Sequence, residues 1–302
     1  VETRTPKWDK LGSAIVGENA GDNFGFNISL SADGSILAIG AKNNDGGGNN
    51  SGHVRVYDYV EGRTPEWNQL GTDIDGENSG DNSGWSISLS SNGKILVISA
   101  PYNTGNGSSS GHVRVYEWND NAWDQLGSDI DAEASGDYVG YESGVSLSDD
   151  GTILAIGAHG NDGNGDGSGH VRVFKYNGSA WNQMGNDIDG EEAGDLFGIT
   201  VSLSADGTIL AIGAHFNNSN GTHSGHVRVY QYVSGLYSSD WIKVGYDLDG
   251  EAANNYFGIG LSLSKDGSVL VAGAYGYNGN SGRAYTYKLI EQPSIKSIVK
   301  MG

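Results

Sequence analysis

Polar and apolar positions alternate along this chain in short runs that never lengthen into a helical stripe. In the first full unit Phe24–Ser31 (FGFNISLS) alternates large and small residues, as a strand packed between two sheets would. Ala32-Asp33-Gly34 then reads as a tight turn, because Asp-Gly supplies the positive φ a hairpin needs. Ile36–Ala41 (ILAIGA) is a continuous apolar run, suited to a strand buried on both faces. A loop rich in Gly and Asn leads to His53–Tyr59 (HVRVYDY), which alternates again. A further turn reaches Trp67–Gly71 (WNQLG), a shorter and more polar outer strand. Four antiparallel strands joined by short loops predict one blade of a β-propeller.

The same unit returns down the chain. SGHVRVY at Ser51–Tyr57 is followed by close copies at Ser110–Tyr116, Ser168–Phe174 and Ser224–Tyr230, and by a degraded SGRAYTY at Ser281–Tyr287. Trp8, Trp67, Trp123, Trp181 and Trp241, each followed by x-x-hydrophobic-Gly, are spaced by 59, 56, 58 and 60 residues. A period this long with four strand-like runs per turn is that of a radial all-β repeat. The chain opens on a fourth-strand motif (Trp8–Gly12), closes on a third strand (Arg283–Tyr287), and holds five first-second-third sets between them. The expected fold is therefore all-β, a five-bladed propeller over residues 1–287. Trp8–Gly12 is expected to pair with the strand at Arg283–Tyr287 and so remove the open seam. Residues 288–302 break the period and read as a tail or linker.

The 302 residues carry 17 basic and 37 acidic side chains, a net charge of −20. Such a chain repels nucleic acid and anionic membranes and attracts cations. Its 50 glycines fall at fixed repeat positions, as turns and close backbone approaches. Without cysteine it has no disulfide or thiolate metal site. No apolar run approaches the ~18 residues that would span a bilayer, so membrane insertion is not expected. The chain begins at Val1 without a signal-like segment, the pattern of a processed or trimmed form. Sequons at Asn27, Asn49, Asn106, Asn177, Asn217 and Asn220 are compatible with secretion, several being expected by chance in a chain this rich in Asn and Ser.

The bracketing Phe-Gly and Gly-Ala elements carry a family resemblance. Phe24-Gly25, Phe197-Gly198 and Phe257-Gly258 open units, with Ser83-Gly84 in that place in the second. Gly40-Ala41, Gly157-Ala158, Gly213-Ala214 and Gly273-Ala274 close the second strands, with Ala100-Pro101 in the second unit. The chain resembles the FG-GAP repeats of integrin α-chain heads and related surface proteins over nearly its whole length. That resemblance implies a propeller at the cell surface or outside the cell, acting in adhesion or assembly. The family's calcium-binding blades carry a DxDxDG-type loop. The hairpins here are only Ala-Asp-Gly, Asn-Gly or Asp-Asp-Gly. The family's usual seven blades are five in this sequence.

Candidate chemistry gathers on the loops. Fourth-to-first and second-to-third loops share one face of a propeller, and the fourth-to-first loops are acidic. Asp75, Glu77, Asp131, Glu133, Asp189 and Glu191 are the candidate ligands for a cation, Ca²⁺ being the natural guest of flexible oxygen sites. The competing reading is that the GExxGD acids bond loop amides and pair with the repeated Arg55, Arg114, Arg172 and Arg228. The histidines two residues before those arginines read as members of an inter-blade polar network. Tyr102, His159, His215, Phe216 and Tyr275 follow second strands beside Asn103, Asn161 and Asn217, an aromatic-plus-amide composition suited to a sugar. The third unit is two residues longer, at Tyr138–Ser148, and places Glu142 where no other blade has an acid.

No Gly-x-Ser-x-Gly, His-Glu-x-x-His or phosphate loop is present, and glycoside hydrolysis needs two acids in a defined relation. The sequence thus points to a non-enzymatic extracellular module with a protein or glycan ligand, or copies of itself, as partner. A lectin-like propeller is the alternative, and a polysaccharide hydrolase using Glu142 the remaining one.

Overall fold

A computed structural model describes residues 7–235 and 238–290. Four blades follow one plan. In blade one the strands are Asn27–Leu30, Ile36–Ala41, His53–Val60 and Glu66–Gln69, paired antiparallel in that order. Blade two has Ile87–Leu89, Ile95–Ala100, His112–Trp118 and Trp123–Gln125. Blade three has Val145–Leu147, Ile153–Ala158, His170–Tyr176 and Trp181–Gln183. Blade four has Thr200–Leu203, Ile209–Ala214, His226–Ser234 and Ser239–Lys243. Blade five has three described strands, Phe257–Leu263, Val269–Ala274 and Arg283–Lys288. The protein is an all-β, five-bladed propeller.

The outer edge differs from expectation. After each W-x-x-hydrophobic-Gly run the chain leaves the third strand, then rejoins it for two residues, as at Ile74–Asp75. The excursion brings an aspartate back over the blade, with Asp73 bonded to Arg55.

Blades stack through alternate faces of their central strands. Val54, Val56 and Ile74 of blade one pack on Ile87, Leu89, Leu96 and Ile98 of blade two in one buried cluster, and the same positions build the next three junctions. The Phe-Gly and Gly-Ala brackets explain themselves here. The amide of Gly198 donates to the carbonyl of Gly213 within its own blade at 3.0 Å, while a β-carbon built on Gly157 of the preceding blade would lie 1.8 Å from the Gly198 carbonyl oxygen. Only glycine lets the two backbones approach so closely. In blade three Val139-Gly140 fills this role, and the inserted residues follow it.

Three further kinds of contact recur between blades. The amides of Leu89, Leu147, Leu203 and Leu263 donate to the hydroxyls of Ser29, Ser88, Ser146 and Ser202 in the preceding blade. The first hairpins join hand to hand, Ala32 to Ser91, Ser91 to Asp149, Asp149 to Ala205 and Ala205 to Lys265. The indoles of Trp123, Trp181 and Trp241 donate to the carbonyls of Leu70, Leu126 and Met184 one blade back, at 2.8–2.9 Å.

The expected seam closure is corrected. Trp8–Gly12 forms no strand, Trp8 is fully exposed, and among the described residues Arg283–Lys288 pairs only with Val269–Ala274. Ile28 and Leu30 on blade one are 65% and 55% exposed where Ile87 and Leu89 are 6% and 8%. A motif shows which strand would fit an edge. The angle between blades, set by the packing of their faces, decides whether that strand arrives.

Candidate functional site

The loop face carries a network of charge built around the repeated arginine. Arg55 reaches Glu18 in the loop before its blade and chelates Asp73 in the loop after it, at 2.7 and 2.8 Å. Arg114 joins Glu77 to Asp129, and Arg228 joins Glu191 to Asp247. In blade five Arg283 pairs with Glu251. Burial opposes the charge on Arg228, but its bonds to Glu191 and Asp247 outweigh that and raise its pKa. Arg55, Arg114 and Arg228 therefore each pin the loops on both sides of their blade.

The histidines stand behind the arginines. His53, His170 and His226 are buried, and His226 is lowered to about 4 by burial first and by Arg228 second, so it is neutral. Asp75, Asp131 and Asp189 lie across the strand pair from His53, His112 and His170. Glu77, Glu133 and Glu191 instead join His112, His170 and His226 with Asp129, Asp187 and Asp247, in clusters whose ligand atoms lie within 4.8 Å of one another. The six acids named from sequence thus fall into two sets. The aspartates that complete the clusters, Asp129, Asp187 and Asp247, were foreseen as loop acids but not as ligands.

Asn103 and Asn217 are buried and donate to Asp81 and Asp195 at 2.9 Å, and their carbonyls hold the amides of Gly105 and Ser219. These amides shape the loops and do not present themselves to a sugar. Asn161 holds the amide of Gly163 in the same way.

Blade three departs from the rule. Arg172 donates to the Asp131 carbonyl at 2.7 Å, stands 3.6 Å from Glu133, and leaves Asp187 unbridged. A cavity of about 340 Å³ opens there, lined by Glu133, Asp137, Asn161, Asp162, His170, Asp187 and Asp189. The Nε2 of His170 is buried and without a hydrogen-bond partner. In the other three clusters the guanidinium bridges both acids, whereas in blade three it stands beside Glu133 alone and Asp187 is left facing an imidazole whose pKa burial lowers. Of the repeated clusters, this one best fits a cation.

The aromatic residues named from sequence fall into two groups at the starts of the second-to-third loops. Tyr102 and His159 meet Trp85, Tyr138 and Tyr141, with Trp85 stacked on Tyr141 at 4.6 Å. Lys42 lies over Phe26 and Trp85 at 3.6 and 3.5 Å; burial lowers its pKa, and the charge of Glu142 opposes that shift. His215 and Phe216 meet His223 and Tyr256, and Tyr256 stacks on Tyr275 at 4.8 Å. His159 and His215 are both lowered to about 4 by burial, with His215 adding to the effect on His159. The insertion in blade three supplies Tyr141, which ties the first group together.

A family model described as FG-GAP repeat matches residues 17–57, 72–116 and 188–230. The chain carries FG-GAP repeats. No curated protein matches its sequence. Among solved structures, this FG-GAP chain is similar to the hydrazine synthase of Kuenenia stuttgartiensis, with 15% identity and a TM-score of 0.52 over 91% of this chain and 65% of that one. It is also similar to the periplasmic gluconolactonase of Pseudomonas aeruginosa, with 17% identity and a TM-score of 0.50 over 87% and 71%. The FG-GAP chain thus spans less than two thirds of the hydrazine synthase chain. At these identities the likeness concerns fold alone.

Proposed function

We propose that this FG-GAP propeller is a non-enzymatic module working outside the cell or at its surface, in adhesion or assembly, and that it engages a protein or glycan through its loop face. The observation that carries this reading is the convergence of aromatic side chains from all five blades on one face, beside loops whose acids are largely committed to arginine and asparagine. Partly exposed aromatic rings next to polar loops suit a ligand that is held, not transformed. Nucleic acid is disfavoured by the charge of −20. A divalent cation, most naturally calcium, belongs to this reading through the blade-three cavity.

The glycan form of the reading is favoured by the aromatic groups, since sugar faces stack on such rings. A glycan array with the full chain and with Tyr102→Ala, Phe216→Ala and Tyr275→Ala tests it. Saturable binding that falls at least about tenfold in one variant, about 1.4 kcal/mol, is the expected result. No bound glycan on the array would leave a protein partner as the form of the proposal. Turnover of a polysaccharide, abolished by Glu142→Gln, would replace the whole reading with an enzymatic one.

A further inference from the structure

Trp123, Trp181 and Trp241, which close blades two to four, each sit in a slot made by two blades. The indole donates to the carbonyl one blade back, and the ring lies over the glycine that follows it. A β-carbon on Gly71, Gly127 or Gly185 would stand 2.9–3.2 Å from the next blade's tryptophan Cδ1. Gly245 holds the same place in blade four, and beyond its chain neighbours nothing among the described residues comes within 4 Å of a β-carbon built on it. A cavity of about 280 Å³ opens there instead, with Val229, Val244, Gly245, Leu248, Leu270 and Tyr287 among its walls. One edge of Arg283–Lys288 runs beside it without a described partner. The last blade thus presents a vacant place for a strand of the W-x-x-hydrophobic-Gly kind, with the Val244 carbonyl in position for its indole.

This chain owns a segment of that sequence, Trp8-Asp9-Lys10-Leu11-Gly12, and Trp8 is 103% exposed. Within one molecule the segment is seated at the opposite end. A β-carbon on Gly12 would lie 3.6 Å from Trp67 Cδ1 and 3.2 Å from Glu66 Cα, much as Gly71 stands to Trp123. The face behind it, with Ile28 and Leu30, is uncovered. We propose that Trp8–Gly12 of a second copy fills the vacant place, so that copies associate head to tail through a junction of the kind that joins blades within the chain.

The register supports this occupant. In blade three Lys175 faces Asn182 and Tyr176 faces Trp181. The same register sets Leu289 against Trp8, and Lys288 against Asp9, an opposite-charge pair across the strands. The same site in blade two holds Glu117 against Asp124, two like charges. Cross-strand pairs of opposite charge favour pairing and like pairs oppose it. The Ser ladder and the hairpin series offer the same continuation, with Ser262 next in line for the amide of Leu30 in the incoming copy. The two surfaces are different, so the contact is heterologous. It gives filaments, or a ring if the rotation closes.

Sedimentation velocity of the full chain over a wide concentration series tests the proposal. The expected result is a mass that rises with concentration for the wild type and stays at one chain for Trp8→Ala and for Leu289→Asp. Mixing those two variants should restore one junction and yield dimers and no larger species, because each retains the half the other lacks. Thermal unfolding followed by circular dichroism should leave both variants within a few degrees of wild type, which separates loss of docking from loss of fold. A wild type that remains monomeric at every concentration overturns the proposal, whether its own strand closes the seam or none does. Association unchanged by Trp8→Ala overturns it as well.

Discussion

In blades one, two and four a single arginine does what no apolar residue at that position could, because it ties together two loops separated by the width of a blade. Arg228 is the most enclosed of the set, with 4% of its side chain exposed against 39% for Arg283. Replacing it by methionine keeps the stem and removes the charge. The acids left behind, Glu191 and Asp247, reach water, so the cost falls below that of orphaning a fully buried ion. Arg228→Met is expected to destabilise by about 2–3 kcal/mol, and Arg283→Met by less than about 1 kcal/mol. Urea unfolding of both variants checks this, and equal losses would show that burial does not govern the arginine's contribution. The pairing of the repeated arginine with loop acids was readable from the sequence, because both recur at fixed offsets. The displaced Arg172 was not, since its sequence context SGHVRVF differs little from the rest.

At the scale of elements, the second strands came out as expected, Ile36–Ala41 among them, because an apolar run of six residues bounded by turns has one reasonable place in a blade. The first strands of blades one to four are shorter than their alternation implies: Phe24 and Gly25 belong to a turn that meets the glycine of the second strand. The glycine contact between blades gives a sharp prediction. Gly157→Ala places a methyl 1.8 Å from a backbone carbonyl that cannot rotate away. It should cost about 3 kcal/mol or more, at the upper end of overpacking, whereas Gly62→Ala, with open space around it, should change stability by less than about 0.5 kcal/mol. Thermal melts of the two variants provide the comparison. The aromatic groups were half legible. Tyr102 and His159 stand after their strands in each unit's pattern, but Trp85, Tyr138 and Tyr141 come from other loops, and only the stacking of blades brings them together.

For the whole molecule, the loop face concentrates acid on one side, and blade three offers the place where a cation would neutralise it. Calcium chloride should raise the melting temperature beyond sodium chloride of matched ionic strength, by mass action on the folded state. Glu133→Gln together with Asp187→Asn should abolish the difference. Equal shifts with the two salts would mean screening alone. The backbone contact between the Phe-Gly turn of one blade and the Gly-Ala strand of its neighbour has a further consequence, which concerns the history of the gene. A duplication of one whole period sets glycine against glycine again and makes a junction the protein already knows how to form. A duplication out of phase sets a side chain against a carbonyl and fails to stack. Growth by whole units is thus tolerated and growth by fractions is purged, so the spacing of the tryptophans, 56 to 60 residues, records a constraint imposed by the width of one backbone against another.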